Sequence, residues 1–270
     1  MKFAICGAGR VGTSLTFSLK SVNWEFSGYY SKSYPDFIEE TERIYSPAEF
    51  RGQDCLVILT VPDIAIEVLS SQLPPYLIVG HTSGSLDHKV IKAPNPKGRF
   101  SLHPLRSVPS HRLDLSGGYW GIEGDEVGLE VAEKIVGALK GKGLHIAPEK
   151  KPLYHMASII STNLLTSLLF LAEQLFEKCG ITNDVVTSLG EKVVNNVKDM
   201  DYLESLTGPV ERGDWNTLDR DLKSLEENAH EFLVPVVKLL EINLKIAKKK
   251  GLKEEDANRI YSIISNYSKH

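Results

Sequence analysis

The chain has 270 residues, 42% of them apolar and 24% charged, a composition typical of a globular protein long enough for two domains. Its net charge of −4 gives no reason to expect a nucleic acid or an anionic membrane as partner. The three cysteines form no Cys-x-x-Cys pair and the N-terminus does not read as a signal peptide, so we expect a cytoplasmic protein with reduced thiols.

The first half of the chain alternates predicted strands with predicted helices. Short, continuously apolar, β-branched runs are typical of strands buried on both faces. The predicted strands are Lys2–Cys6, Glu25–Tyr30, Cys55–Thr60, Leu77–Gly80, Arg99–Leu102, Tyr119–Ile122 and Leu144–Ala147. The predicted helices between them are Val11–Ser21, Asp63–Ser71 and Asp125–Lys140. This alternation predicts an α/β fold with a doubly wound, mostly parallel sheet.

The second half reads as helical throughout. The predicted helices are Lys151–Lys178, Asn183–Met200, Thr217–Glu226, Pro235–Lys250 and Lys253–Tyr267. The most apolar stretch, residues 156–171, contains several serines and threonines, so we expect no membrane span. We therefore predict an α/β domain over residues 1–149 and an all-α domain over residues 150–270.

A glycine-rich loop follows the first predicted strand. Residues 7–12 read G-x-G-x-x-G between a strand and an amphipathic helix. In this setting the three glycines permit a tight turn, a close approach of the backbone to a pyrophosphate, and close packing of helix on strand. The helix N-terminus adds a partial positive charge. We predict a Rossmann domain that holds dinucleotide phosphates with Gly7, Ala8, Gly9, Arg10, Val11 and Gly12.

The end of the second strand should face the adenosine ribose. An NAD-specific site would carry Asp or Glu there, whereas this chain has Ser31 and Lys32. Hydroxyl groups and a cation can hold a 2′-phosphate, so we expect NADP(H) as cofactor. The alternative is that the two residues form only a solvated loop.

Later strand ends should line the same crevice, because the carboxyl ends of parallel strands meet at one edge of a sheet. Thr60, Val61 and Pro62 follow one strand, and His81 and Thr82 follow the next. We expect these five residues at the nicotinamide end of the cofactor.

Two strand-end turns carry Ser83 and His103. An imidazole titrates near neutrality and suits a general acid or base beside a hydride transfer, with Ser83 orienting it. The alternative, for His81 as well as His103, is a buried histidine that bonds only to the backbone. The histidine spacings match no metal-binding motif, so we expect no metal.

The motifs together resemble a known group of proteins. The segments GAGRVG, LTVPD, HTSGSL, SLHPL, YHMASIISTNLL and LTGPVERGD occur in this order over almost the whole chain. They resemble Rossmann oxidoreductases with a helical C-terminal domain of unknown function, relatives of pyrroline-5-carboxylate reductase, prephenate dehydrogenase and the 6-phosphogluconate dehydrogenase superfamily. The resemblance implies a C-terminal domain like that of 6-phosphogluconate dehydrogenase and a homodimer formed through it. An intramolecular core explains the same apolar helices.

The resemblance also suggests roles for individual residues. Ser83 and His103 are similar to the serine–histidine pair of prephenate dehydrogenase. The Lys-x-x-x-Asn motif of another branch is incomplete, since Ile159 stands where the lysine would be and only Asn163 remains. Proton delivery must then come from His103, with Tyr154 or His155 as second candidates.

We therefore expect NADP(H)-dependent hydride transfer to or from a small C=O or C=N compound. His103, Ser83 and Asn163 are the predicted catalytic residues. Tyr154, His155, Arg106 and Arg212 are the predicted substrate contacts, the arginines as partners of a carboxylate or, alternatively, as surface ion pairs. The second hypothesis is a sensor or scaffold protein that binds NADP without catalysis.

Overall fold

A computed structural model of the protein describes residues 1–50, 55–182 and 184–268. The chain divides into two compact units, Met1–Leu164 and Leu165–His270. The first unit contains a sheet flanked by helices, and the second is helical.

The sheet of the first unit has eight strands. They are β1 (Lys2–Cys6), β2 (Glu25–Tyr30), β3 (Arg43–Ile44), β4 (Cys55–Leu59), β5 (Ile78–His81), β6 (Gly98–Pro104), β7 (Tyr119–Gly124) and β8 (Lys142–His145). Their spatial order is β3-β2-β1-β4-β5-β6-β7-β8, and every neighbouring pair is parallel except β6 with β7. The prediction of a doubly wound, mostly parallel sheet is confirmed.

Alternation along the central strands places side chains on both faces of the sheet. Phe3 and Ile5 of β1 pack into one apolar core, and Ala4 and Cys6 pack into the other. All five residues of β4 are buried. This two-sided burial explains why the central strands are apolar without interruption.

The longer helices agree with the predicted ones apart from shifts of their ends, and two four-residue helices, Tyr202–Ser205 and Pro209–Arg212, were not predicted. In the first unit they are α1 (Arg10–Ser21), α2 (Asp63–Ser71), α3 (Glu126–Ala138) and α4 (Lys151–Ile159). In the second unit they are α5 (Leu165–Lys178), α6 (Val185–Met200), α7 (Tyr202–Ser205), α8 (Pro209–Arg212), α9 (Trp215–Ala229), α10 (Leu233–Lys250) and α11 (Glu254–Tyr267). Asn183, the predicted start of α6, lies outside the described residues.

The predicted helix Lys151–Lys178 is one helical run with a π-helical turn, Ile160–Leu164, between α4 and α5. The compact units divide at the end of this turn, beyond the predicted boundary between residues 149 and 150. The reason is that α4 packs on the sheet, where Lys151 is completely buried. The predicted domain boundary itself stays a prediction.

By length and composition alone, the helical run Pro148–Lys178 is apolar enough to cross a membrane. Core helices of soluble proteins meet the same criterion but are mostly buried, and none of the most apolar window of this run is buried within the structure. The expectation that the protein has no membrane partner therefore remains a prediction.

Candidate functional site

The site lies at the point where the strand order reverses, with β2 on one side of β1 and β4 on the other. The glycine loop leaves β1 here, and Thr60 leaves β4. The Thr60 hydroxyl lies 2.7 Å from the carbonyl oxygen of Gly7, and the Thr60 amide donates to the carbonyl oxygen of Cys6 at 2.7 Å. Thr60 therefore holds the loop in place at the edge predicted to bind a dinucleotide.

The three glycines of the loop meet different surroundings. A Cβ on Gly7, whose φ is +110°, would lie 2.5 Å from the carbonyl oxygen of Thr60, and one on Gly12 would lie 2.1 Å from that of Gly7. A Cβ on Gly9 would have nothing within 4 Å. Gly9 is also the N-cap of α1, and no side chain among the described residues caps that helix end. Open space before an uncapped helix N-terminus fits the phosphates of a dinucleotide.

A cavity of about 330 Å³ opens above the glycine loop. It is lined by Gly9, Arg10, Val11, Thr60, Thr82, His103, Pro104, Arg106 and Val108. The predicted phosphate loop, two predicted nicotinamide contacts and the predicted proton carrier thus lie around one space. Val61 is half-buried and Pro62 is exposed at the start of α2.

At the end of β2, the hydroxyl of Ser31 accepts a hydrogen bond from the amide of Ala8 at 3.3 Å. The hydroxyl of Tyr34 lies 3.2 Å from the Ser31 amide, which donates to it. These contacts tie the end of β2 to the glycine loop. Lys32 is exposed on the same turn.

His81 does not have the position predicted for a cofactor contact. Its side chain is completely buried, Nδ1 accepts from the amide of Ser83 at 3.2 Å, and Nε2 lies 3.0 Å from the carbonyl oxygen of Asp87. Both ring nitrogens are thus used by the backbone. Burial lowers the pKa of His81 to about 4, so the ring is neutral. The imidazole is therefore a structural part of the turn, and a contact of His81 with the cofactor stays a prediction.

Ser83 is likewise engaged away from His103. Its hydroxyl donates to Oδ2 of Asp63 at 2.9 Å and accepts from the amides of Ser85 and Leu86 at 3.2 and 3.0 Å. These contacts use the hydroxyl to shape the turn after β5. Among the described residues, the Ser83 hydroxyl makes no hydrogen bond to His103, and another residue contacts the ring. A catalytic role for Ser83 stays a prediction.

The residue that contacts His103 is Tyr154 on α4. Nδ1 of His103 lies 2.9 Å from the Tyr154 hydroxyl, and the two rings meet edge to face. The Tyr154 hydroxyl lies beside Gly121, the register partner of His103 on β7. The tautomer of His103 decides which of the two groups donates in this hydrogen bond.

Two glycines make room for these rings. A Cβ on Gly121 would lie 2.3 Å from the Tyr154 hydroxyl oxygen. A Cβ on Gly84 would lie 2.9 Å from Nε2 of His103 and 2.6 Å from Cδ2 of His155. The His155 ring packs edge to face on His103, with centroids 5.7 Å apart. The Nε2 edge of His103 therefore lies beside Gly84, with His155 against it.

The electrostatics of the pair differ from the sequence expectation. Burial, with smaller contributions from His155 and Lys151, lowers the pKa of His103 to about 4. Burial raises the pKa of Tyr154 to about 12. At neutral pH both side chains are uncharged, so the expectation of an imidazole that titrates near neutrality is wrong.

Four buried polar residues near the site were not predicted to contribute to it: Lys151, Ser101, Glu123 and His88. Nζ of Lys151 donates to the Ser101 hydroxyl at 2.6 Å. Nearby, a carboxylate oxygen of Glu123 bonds to Nδ1 of His88, and the other accepts from the His88 amide at 2.8 Å. Only Lys151 carried a signal in the sequence, because it precedes Tyr154 and His155 by three and four residues and so shares their helix face.

The remaining predicted residues are placed as follows. Arg106 borders the cavity and donates to the carbonyl oxygen of Asp114 at 3.2 Å. Asn163 is exposed in the π-helical turn. Arg212 is exposed at the end of α8 in the second unit. Their roles remain predictions. No group of three His, Cys, Asp or Glu side chains in the described part of the chain is placed to hold a metal ion.

Comparisons with known proteins agree with this fold. Residues 118–238 match the family described as a domain of unknown function, DUF2520. No curated protein sequence matches the chain. Among solved structures, protein TM1727 from Thermotoga maritima is 25% identical to this chain with a TM-score of 0.71. The match covers 92% of this chain and 99% of TM1727.

Two further structures have named activities. The pyrroline carboxylate reductase of Plasmodium falciparum, with NADP bound, is 15% identical with a TM-score of 0.61, over 100% of this chain and 97% of that one. A reductive aminase from Aspergillus terreus, in complex with NADPH and ethyl levulinate, is 14% identical with a TM-score of 0.62. That match covers 97% of this chain and 98% of the aminase. The predicted resemblance is confirmed: the chain has the fold of NADP-binding Rossmann oxidoreductases and carries a DUF2520 region.

Proposed function

We propose that the protein is an NADP(H)-dependent oxidoreductase that transfers a hydride to or from a small C=O or C=N compound. The observation that carries the proposal is the single cavity lined by the glycine loop, Thr60, Thr82 and His103. A dinucleotide whose phosphates lie at Gly9 would extend along this cavity towards His103. The bound cofactor would supply or accept the hydride.

The residues of the chain would bind, orient and move a proton. Gly9 and the N-terminus of α1 hold the phosphates, and Ser31 with Lys32 holds a 2′-phosphate. In the direction of reduction, the reacting oxygen or nitrogen takes its proton from Nε2 of His103. As Nε2 gives up its proton, the Tyr154 hydroxyl, 2.9 Å from Nδ1, gives its own proton to Nδ1, so that the ring stays neutral, and the tyrosinate then regains a proton from water.

Cofactor preference is tested by titrating the purified protein with NADPH and with NADH in a calorimeter. We expect NADPH to bind at least about tenfold more tightly, or about 1.4 kcal/mol. Lys32→Ala should reduce that ratio without changing NADH affinity. Equal affinities of the unaltered protein for the two cofactors would contradict the assignment to NADP(H).

Turnover is tested by NADPH consumption with a panel of keto acids, imines and, in reverse, alcohols with NADP⁺. For any compound that reacts, His103→Asn should lower turnover by roughly 10² to 10⁴ while NADPH affinity is retained. His145→Asn is the matched control, because His145 is exposed on β8. An unchanged rate in His103→Asn would remove His103 from the mechanism.

The alternative function is an NADP-binding sensor without catalysis. It is favoured by Ile159 at the place where one branch of the superfamily has a lysine, and by the uncharged His103–Tyr154 pair. A sensor would change its oligomeric state with NADPH in an analytical ultracentrifuge and turn over no compound of the panel. Turnover without such a change would reject it.

A further inference from the structure

Lys151 is the first residue of α4, and its side chain is completely buried. Nζ donates to the hydroxyl of Ser101 at 2.6 Å and to the carbonyl oxygen of Ser83 at 3.3 Å. No carboxylate among the described residues forms a salt bridge with it. A lysine is rarely buried without an ionic partner, because desolvation of the ammonium is costly. Packing alone would be served as well by an apolar side chain.

The two partners of Lys151 belong to the elements that present the site. Ser101 is on β6, two residues before His103, and its hydroxyl donates in turn to the carbonyl oxygen of Ser83 at 3.1 Å. Lys151, Ser101 and Ser83 therefore form a triangle of hydrogen bonds that joins α4, β6 and the turn after β5. The same face of α4 carries Tyr154, which contacts His103, and His155, which packs on it.

The charges around this triangle come from several elements. Glu123 on β7, Asp87 before His88, and Asp63 at the start of α2 act on Lys151 and favour its charged form. Burial opposes them and lowers the pKa of Lys151 to about 8. Around His103, the groups that act on the ring are His155 and Lys151, and both disfavour a proton on it.

We propose that Lys151 is a positioning residue for His103: its buried ammonium joins β6 and the turn after β5 to α4, whose Tyr154 and His155 contact the imidazole. The proposal rests on the proposed function only for the role given to His103 in proton transfer. The geometry and the charge of the imidazole are properties of the protein alone.

The test is the titration of His103 followed by NMR of the ¹³C-labelled imidazole, with its signal assigned from the spectrum of His103→Asn. Lys151→Met removes the charge and keeps the length of the side chain. We expect the pKa of His103 to rise by up to about half a pH unit in this variant, because a like charge has been removed. Lys151→Arg should keep the pKa of His103 low.

Lys150→Met is the matched control. Lys150 is the exposed neighbour of Lys151, and loss of its charge should leave the pKa of His103 unchanged. A merely structural role predicts that Lys151→Met lowers the melting temperature with no change in that pKa. An unchanged pKa of His103 in folded Lys151→Met therefore overturns the proposal.

A second measurement decides the question if Lys151→Met does not fold. In the unaltered protein, the His103 signal should show a further inflection near pH 8, where Lys151 loses its proton. That inflection should persist in Lys150→Met and disappear in Lys151→Arg. Its absence from the unaltered protein overturns the proposal. Neither titration needs cofactor or substrate, so failure of the proposed function would be seen separately.

Discussion

A methyl group on Gly121 would occupy the space of the Tyr154 hydroxyl, only 2.3 Å from its oxygen. Gly121→Ala should therefore push Tyr154 away from His103, lower the melting temperature, and lower turnover in any assay that His103 supports. Gly137→Ala is the control, since a Cβ there meets nothing within 4 Å. Because Gly137 lies in α3, alanine should stabilise the fold by about 0.5–1 kcal/mol. Equal melting temperatures for the two variants would contradict this account of Gly121.

Two uncharged histidines should make the protein sensitive to acid. Burial lowers the pKa of His81 and of His103 from 6.5 to about 4. Between these values the unfolded chain binds protons on both rings and the folded chain does not, so the free energy of unfolding falls as the pH falls. The full contribution is present above pH 6.5, and each histidine contributes on the order of 1–3 kcal/mol.

Urea unfolding at pH 7 and pH 4.5 measures this loss. His103→Asn should lose less stability between the two pH values than the unaltered protein, because one of the two rings no longer titrates. His145→Asn, altered at an exposed ring, should keep the full dependence. If His103→Asn shows the same dependence as His145→Asn, the assignment of a lowered pKa to His103 is wrong.

At the scale of elements, two glycines of the loop before α1 are expected to have different roles, one in cofactor binding and the other in the stability of the fold. Gly9→Val places a side chain in open space at the N-cap of α1, so it should abolish NADPH binding and leave the melting temperature nearly unchanged. Gly12→Ala places a Cβ 2.1 Å from the Gly7 carbonyl oxygen and should destabilise the fold itself. Calorimetric titration and thermal unfolding of both variants check the pair. Normal NADPH binding by Gly9→Val would place the phosphates elsewhere.

Local sequence patterns predict most of the strands and helices. Continuous apolar runs predicted the central strands because both faces of the sheet are buried. The strand β3 was missed, since two residues carry no periodicity. The π-helical turn Ile160–Leu164 was missed because its residues fit the apolar repeat of the helix around it.

The candidate site was only partly predictable for a different reason. The glycine loop, Thr60 and His103 follow from strand ends, whose common edge is fixed by topology. The partner of His103 depends on how a helix from a distant part of the chain packs on the sheet, which no local pattern records. The sequence pattern places Ser83 beside His103, where the structure has Tyr154, and the only sign of Lys151 is the helix face that it shares with Tyr154 and His155.

For the whole molecule, exposed apolar side chains on α5 and α6 support a homodimer through the helical unit. Phe170 is 56% exposed, and Val193 and Val194 are 57% and 56% exposed. Large exposed apolar patches are typical of interfaces. We expect a dimer by light scattering and a monomer for Phe170→Asp. Ile64→Asp, altered at an exposed apolar residue of α2, should remain dimeric. If the unaltered protein is a monomer, the prediction of a dimer interface on α5 and α6 is wrong.

Gly84 and Gly121 also have a consequence for recognising relatives. In a homologue with a larger residue at either position, the rings at the positions of His103, Tyr154 or His155 must shift from this arrangement. Glycine at both sites, with histidine and tyrosine at the positions of His103 and Tyr154, is thus a four-residue signature. It would separate homologues that share this proton-transfer arrangement from those that share only the Rossmann scaffold, and it can be read from sequence alone.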